Sequence, residues 1–412
     1  MKKFARMIVL GGALSIAGLA HAAGTLAFNI AFKGANQRVL WEGVIADFQK
    51  ANPDIVVKPA FIEEEAYKVQ LPAWLTTVAP DLVKWHAGER MSYYARRGLL
   101  EDISADWTRN GWDTSFASLK EASSYKGQQY ALPTDYFSWG VFYRKDLFDK
   151  AGIKGEPKSW DDFLAACKKL KAAGITPIAV GGRDAWTLAV WFDYLDLRIN
   201  GYKFHMQLMN GEVAYTDPRV KKVFAAWKTL IDGNYFVENP LTYSLDSSMP
   251  LLNQGKAAMM LMGTFMSPAV SAEVKPLTGY FQFPLVDPQV PVAEDGSAEV
   301  LLIPAKAKNK AEARRFLAFI GTPDISARLA KGFGSLPANN KAAVPDDSIA
   351  RQGFDILSKT KGGVAQFFDR DMDKEMADEG LKGMQRFITD PAKIDEVLVQ
   401  LEQVRRRIYK KS

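Results

Sequence analysis

Cysteine is almost absent from this chain of 412 residues: Cys167 is the only one. No internal disulfide can form, so even in an oxidising compartment the fold must rest on its apolar core. Histidine is nearly as scarce. His21, His86 and His205 contain no H-x-x-x-H pair, which argues against a zinc or non-haem iron site. No G-x-x-x-x-G-K-[ST] or G-x-G-x-x-G run occurs, and Gly332-Phe333-Gly334 lacks the third glycine, so nucleotide cradling has no local support. G-x-S-x-G is missing too, and the lone cysteine has no evident base beside it. No cofactor and no metal are expected. Internal repeats, heptad runs and Ser/Gly linkers are also missing.

A long apolar run occurs at the start. Lys2, Lys3 and Arg6 precede Met7 to Ala20, and Ala20-His21-Ala22 has the small-residue spacing of a cleavage site. The run is shorter than the ~20 apolar residues a spanning helix needs. Residues 1–22 are therefore expected to be a removed signal peptide. No cysteine follows to carry a lipid, so a freely soluble periplasmic protein is expected. Those residues hold three positive charges and no negative ones, so the net charge falls from +6 to +3 on their removal. The basic balance thus belongs partly to the leader, and a nucleic-acid partner loses its support.

Helical and strand patterns alternate along the remainder, which predicts an α/β fold with largely parallel sheets. Thr25 to Phe32 and Ile55-Val56-Val57 read as strands, separated by a helix that buries Trp41, Val44, Ile45 and Phe48. Ser159 with Asp162 forms a capping box before Trp160, Phe163, Leu164, Cys167 and Leu170, so Cys167 reads as core. Asp217-Pro218 opens a helix with an N-cap acid and a first-turn proline. From Pro391, Ile394, Val397, Leu401, Val404 and Ile408 predict a last helix with Arg405 to Arg407 at its negative end. The mature chain exceeds the ~250–300 residues at which single cores stop growing, so two lobes are expected.

Tryptophan is plentiful. Trp160 and Trp227 belong to helix core faces, whereas Trp85, Trp139, Trp186 and Trp191 fall in or beside predicted turns and strand ends. Aromatic plates beside ionised groups suit a sugar, which offers flat C–H faces and a rim of hydroxyls. For each such tryptophan taken singly, core packing is the commoner role. Asp369, Asp371, Asp373 and Glu375 could supply the acid and nucleophile of a glycosidase, although a solvated helix start is the simpler account.

An ordered series of blocks carries a resemblance. Tyr130-Ala-Leu-Pro-Thr-Asp135, Tyr143 to Ile153, Pro157 to Phe163 and Lys168 to Ile175 are its centre. Phe48 to Ile55, Ala79-Pro80-Asp81-Leu82 and Gly98 to Ile103 precede them. Gly255 to Met260 with Gly263, Ala311 to Phe316 and Gly334-Ser-Leu-Pro337 follow. Together they resemble the carbohydrate-binding family of extracellular solute-binding proteins, whose best known members bind maltodextrins. The resemblance implies a two-lobe periplasmic-binding-protein-like fold of type II, with hinge crossings around a ligand cleft near Pro133–Trp139, Phe281–Pro284 and Leu336–Asn340. Residues 23–135 and 286–337 would form one lobe, and 136–285 and 338–412 the other.

The resemblance also implies a site. Glu89-Arg90 stands where the family has an acid-Arg pair, with Arg90 eight residues before Gly98, and Trp85 is the aromatic before it. Glu64 falls where a sugar-contacting carboxylate is expected. Asp135 and Trp139 lie on the first hinge segment, Trp186 where a stacking aromatic is expected, and Phe265 replaces a more usual tryptophan. Asp369 and Arg370 follow Phe368 in the C-terminal region. What is implied is a receptor and not an enzyme. It would bind a mono- or disaccharide, a glucoside being favoured, and would serve as a monomer the permease of an ABC importer. Two alternatives stand beside it: a secreted glycosidase or lyase, and the same fold holding a non-sugar solute such as a polyamine.

Overall fold

The structure is a computed structural model describing residues 24–32 and 35–409; the expected signal peptide lies outside them. One sheet of ten strands runs through the molecule. In chain order these are β1 (Gly24–Phe32), β2 (Ile55–Glu63), β3 (Leu82–His86), β4 (Ala131–Arg144), β5 (Thr176–Ile178), β6 (Ala257–Gly263), β7 (Thr278–Phe281), β8 (Glu294–Leu302), β9 (Leu336–Pro337) and β10 (Val364–Ala365). Its main path is β2-β1-β3-β8-β4-β6-β5, with β7 and β9 on β4 and β10 on β8. The outer pairs are parallel, as expected of α/β lobes. The centre is antiparallel, since β8 runs against both β3 and β4.

Among the described residues two large cores form on this sheet, with a small third cluster of Leu197, Ala293 and Ala365. The first gathers Leu26 to Leu132 and resumes at Ala298–Phe333 and Ala338. The second gathers Phe137 to Phe283 and resumes at Ile349 and Phe367–Leu401. Strand β4 belongs to both. Its first half pairs with β8, from Leu302↔Ala131 to Gly296↔Ser138, and its second half with β6, from Trp139↔Gly263 to Tyr143↔Met259. The sequence places the second passage between lobes near Phe281–Pro284. In the structure Phe283 instead packs against Trp160, Trp191 and Tyr194. Residues 286–293, expected in the first lobe, stay beside the second, because Arg198 holds the Ala293 carbonyl. The passage therefore lies later, between Ala293 and Ala298.

The helices follow local signals. Those that frame the site or the second core are α1 (Ala35–Ala51), α2 (Glu64–Thr76), α3 (Glu89–Ala95), α4 (Trp160–Ala172), α5 (Trp186–Ile199), α6 (Gly201–Met209), α7 (Pro218–Asp232) and α8 (Leu245–Asn253). Helix α4 opens on the reciprocal Ser159–Asp162 box, and Cys167 is fully buried on its core face. Asp217 caps α7 by accepting from the Arg219 amide. Helix α5 is apolar nearly all round and buried from Thr187 to Arg198, so Trp191 is core and not a loop residue.

Candidate functional site

Strand β3 sets the electrostatics of the space between the lobes. Successive side chains alternate across a strand, so Lys84 and His86 share the face that meets Glu299 of β8. Glu299 accepts from Lys84 Nζ at 2.6 Å, lies 3.2 Å from His86 Nδ1 and accepts from Arg370 at 3.0 Å. Burial acts to raise its carboxyl, but Lys84, His86 and Arg370 outweigh it and hold the group well below the usual carboxylate range. Beyond His86, Nε2 lies 3.2 Å from Glu64 Oε1 at the start of α2, and Lys68 one turn on reaches the same oxygen at 3.8 Å.

Strand β4 supplies the aromatic wall. Asp135, Phe137 and Trp139 alternate onto one face. The Trp139 ring stacks on Phe367 with centroids 4.7 Å apart and planes at 16°. Phe265 meets it edge-on at 5.6 Å, and Trp186 at 6.2 Å from the first turn of α5. Lys68 Nζ lies 5.9 Å from the Trp186 ring centre, bringing a cation of the first lobe to an aromatic of the second. Phe265 packs beside Gly263, where any Cβ would lie 2.4 Å from its ring.

The segment Gln366–Asp371 closes the far side. Arg90 of α3 donates to the Asp369 carbonyl at 2.6 Å and to its carboxylate at 2.5 Å. Burial opposes ionisation of Asp369, yet Arg90, Lys68 and Arg370 drive its carboxyl far below the ordinary range. Gly88 allows this approach: at φ +71° it carries no side chain where a Cβ would meet the Arg370 carbonyl oxygen at 2.9 Å. The cavity enclosed by these groups leaves about 20 Å³ free, room for roughly one water. Phe265 separates it from an outer groove of about 340 Å³, lined by Asn36 and Phe333 of one lobe and Asp246 and Met249 of the other.

A model of the bacterial extracellular solute-binding proteins matches residues 34–327. The chain belongs to that family. Its members are solute-binding receptors and not enzymes. The bacterial solute receptor AcbH, described as having an exclusive preference for β-D-galactopyranose, is 28% identical and superposes with a TM-score of 0.87 over 94% of this chain and 99% of that one. A probable sugar-binding periplasmic protein of Mesorhizobium japonicum is 30% identical, covering 66% of each chain. An uncharacterised extracellular-binding protein of an ABC transporter from Pyrococcus horikoshii is 27% identical over 79% of this chain and 74% of its own length. A chitin oligosaccharide binding protein, 22% identical, shares the fold with a TM-score of 0.87 over 94% of this chain and 99% of that one.

Within this solute-binding protein, Glu64, Trp139, Trp186, Phe265, Asp369 and Arg370 line one cavity. Arg90 supports it from behind through Asp369. Asp135 opens instead on an adjoining recess with Lys84 and Glu299, where burial raises its carboxyl to about 6. Two expected contacts are displaced. Trp85 points into the first core, stacked with Tyr67 and bonded through Nε1 to the Arg90 carbonyl, because it lies on the opposite face of β3 from His86. Glu89 turns toward Arg96, which bonds it, and not toward the cavity. Lys68, His86, Phe137 and Phe367 also line the space and were not among the expected residues. The period-two alternation of β4 groups Phe137 with Asp135 and Trp139; alternation on β3 groups His86 with Lys84 but does not say which face meets the cleft. The simple solvated account of Asp369 fails, since it is buried and ion-paired.

Proposed function

We propose that this protein is the periplasmic substrate-binding component of a carbohydrate ABC importer, exported through a cleaved leader at residues 1–22. It binds a mono- or disaccharide, a glucoside being favoured, by closing its two lobes, and delivers the sugar to a membrane permease. One observation carries this reading: aromatic faces and ionised edges from both lobes converge on one cavity. Trp186 and Phe265, partly exposed over a buried wall of Phe137, Trp139 and Phe367, offer faces to C–H surfaces, while Glu64, His86, Lys68, Asp369 and Arg370 offer acceptors and donors to hydroxyls.

The magnitudes suffice without bond chemistry. A hydrogen bond to a charged group contributes about 1.5–3 kcal/mol net, and micromolar affinity requires about 8.2 kcal/mol. Three or four such bonds with two stacked rings reach that figure. Acids and bases balance along the wall, Glu64 and Asp369 against Lys68 and Arg370, which favours a neutral ligand over a polyamine. The groove beyond Phe265 favours a ligand that extends past one ring. Because contacts come from both lobes, ligand stabilises the closed arrangement over the open one.

A thermal-shift screen of the mature chain against a saccharide panel tests the proposal. A ligand at 100 times its Kd adds about 2.7 kcal/mol of stability, and the sugar is recovered intact. Indifference to every saccharide, or conversion of one, refutes it. A steep fall of affinity with salt would point to a polycation instead. The mass of the exported protein reports whether residues 1–22 are removed.

A further inference from the structure

Beneath the cleft lies a second group of acids that ligand contact does not explain. Asp193 of α5 is fully buried, and its Oδ2 accepts the Phe368 amide at 2.8 Å. Asp371 Oδ2 accepts the Gln366 amide at 2.7 Å. The first bond ties the strap Gln366–Asp371, which presents Phe367, Asp369 and Arg370 to the cavity, to α5, and the second closes the strap on itself; Arg90 of α3 and Ser297 and Glu299 of β8 also hold it. These contacts hold it against its own backbone, since Phe367 sits at φ +148°, a region that residues with a side chain rarely enter.

Asp295 of β8 adjoins this group. It is fully buried, and neither carboxyl oxygen has a hydrogen-bond partner; Asp193 Oδ1 and His205 Nε2 also have none. Every element packed there brings titratable groups. Helix α5 contributes Asp193, Asp196 and Arg198, α6 contributes His205, β8 contributes Glu294 and Asp295, and the strap contributes Asp371. The Tyr194 and Tyr215 phenols, kept neutral by burial, face the same groups. Arg198 is engaged by Glu294 at 2.5 Å and by the Phe283 carbonyl. His205 Nδ1 lies 2.9 Å from Asp196, with its other nitrogen 4.0 Å from Asp193. His205 therefore faces Asp193, Asp196, Asp295 and Asp371, while Arg198 also acts on Asp295 and Arg370 on Asp371. The buried carboxylates, with Glu294 among them, outnumber these cations and cannot all ionise at low dielectric. A retained proton also turns an acceptor into a donor, which is what the partnerless oxygens lack.

We propose that Asp295 is a positioning residue of the ligand site: as a neutral acid it lets Asp193 stay bonded to the strap at Phe368, and its ionisation loosens that tie and the strap with it. Geometry supports the assignment, because Asp295 is the acid here with no donor to either oxygen and stands on the strand that crosses between lobes. Burial raises its carboxyl to about 8, with His205 and Arg198 opposing and Asp371 and Glu294 adding to the rise. For Asp193, burial is again the largest influence and Asp295 the next, both upward. Loosening accordingly belongs to mildly alkaline water.

The proposal rests on the ligand-site reading for one of its two consequences. The first needs no ligand. Amide exchange of the unliganded full chain, followed by mass spectrometry and corrected for intrinsic rate, reads the strap peptide at pH 6 and pH 9. Wild type is expected to lose about tenfold or more of its protection at pH 9. Asp295→Asn, which cannot ionise and still donates, is expected to keep it at both values. Equal protection of the wild type at both pH values overturns the proposal without use of a variant, as does a parallel loss in the Asn variant. The second consequence is a saccharide Kd about tenfold weaker at pH 9 than at pH 6 in wild type and level in Asp295→Asn. A level wild-type profile with saccharide bound overturns the proposal while leaving the ligand reading intact.

Discussion

Glu299→Gln tests the central charge network. The substitution keeps the shape of the side chain and removes the charge that Lys84, His86 and Arg370 share. Removing one member of a buried ion pair costs about 3–5 kcal/mol, because the partner remains buried and uncompensated. Glu64 and Asp135 also favour the Lys84 charge, so the lower end, about 3 kcal/mol, is expected. Unfolding entropy is about 2.1 cal/mol/K per residue, or roughly 0.8 kcal/mol/K for the mature chain, so Tm falls by about 4 °C. The pH dependence has a definite sign. Glu299 has a folded pKa below its ordinary value of 4.5, so its stabilisation is present above that value and lost as pH falls through the folded pKa. Calorimetry at pH 7 should show the full gap between wild type and variant, and the gap should shrink below about pH 4.5. Adding Lys84→Met should return part of the loss. A gap under about 1 °C at pH 7, or one that persists unchanged in acid, would refute the reasoning.

Trp186→Ala removes a half-exposed aromatic at the cavity edge while leaving the second core in place. Titration calorimetry with a bound saccharide should show a loss of about 1–3 kcal/mol with Tm of the unliganded protein nearly unchanged. Arg90→Met strips Asp369 of its closest cation. Ligand affinity should fall tenfold or more, since breaking such a charge-assisted contact costs about 2 kcal/mol. Gly140→Ala puts a Cβ 2.7 Å from the Tyr280 ring and 2.8 Å from the Phe281 carbonyl; overpacking of about 1–3 kcal/mol should appear as a lower Tm.

Legibility followed locality. The Ser159–Asp162 box, the Asp217-Pro218 start and the core role of Cys167 need only neighbours within one turn, and the sequence shows them. Trp186 opens a helix and Phe265 follows a strand end, positions that local signals single out, whereas Phe137 and Trp139 lie inside β4. Trp85 and His86 differ by one position on β3, and which of them meets the cleft depends on the face that the first core, with Tyr67, covers. No spacing encodes that choice. Glu299 is harder still, since its partner Lys84 lies 215 residues away and a glutamate in a strand gives no sign of a distant lysine. The second passage between lobes was placed too early because the tie of Arg198 to residues 293 and 294 is likewise non-local.

The strand that serves both halves of the sheet has a mechanical consequence. Lobe motion cannot pivot on a single loose bond, because β4 is laddered to β8 on one side of the passage and to β6 on the other. Rotation must be spread as twist along a hydrogen-bonded ribbon, which behaves as a leaf spring. If the lobes close on a ligand as proposed, such a spring would guide the halves along one path, with the direction of movement set by the backbone ladder.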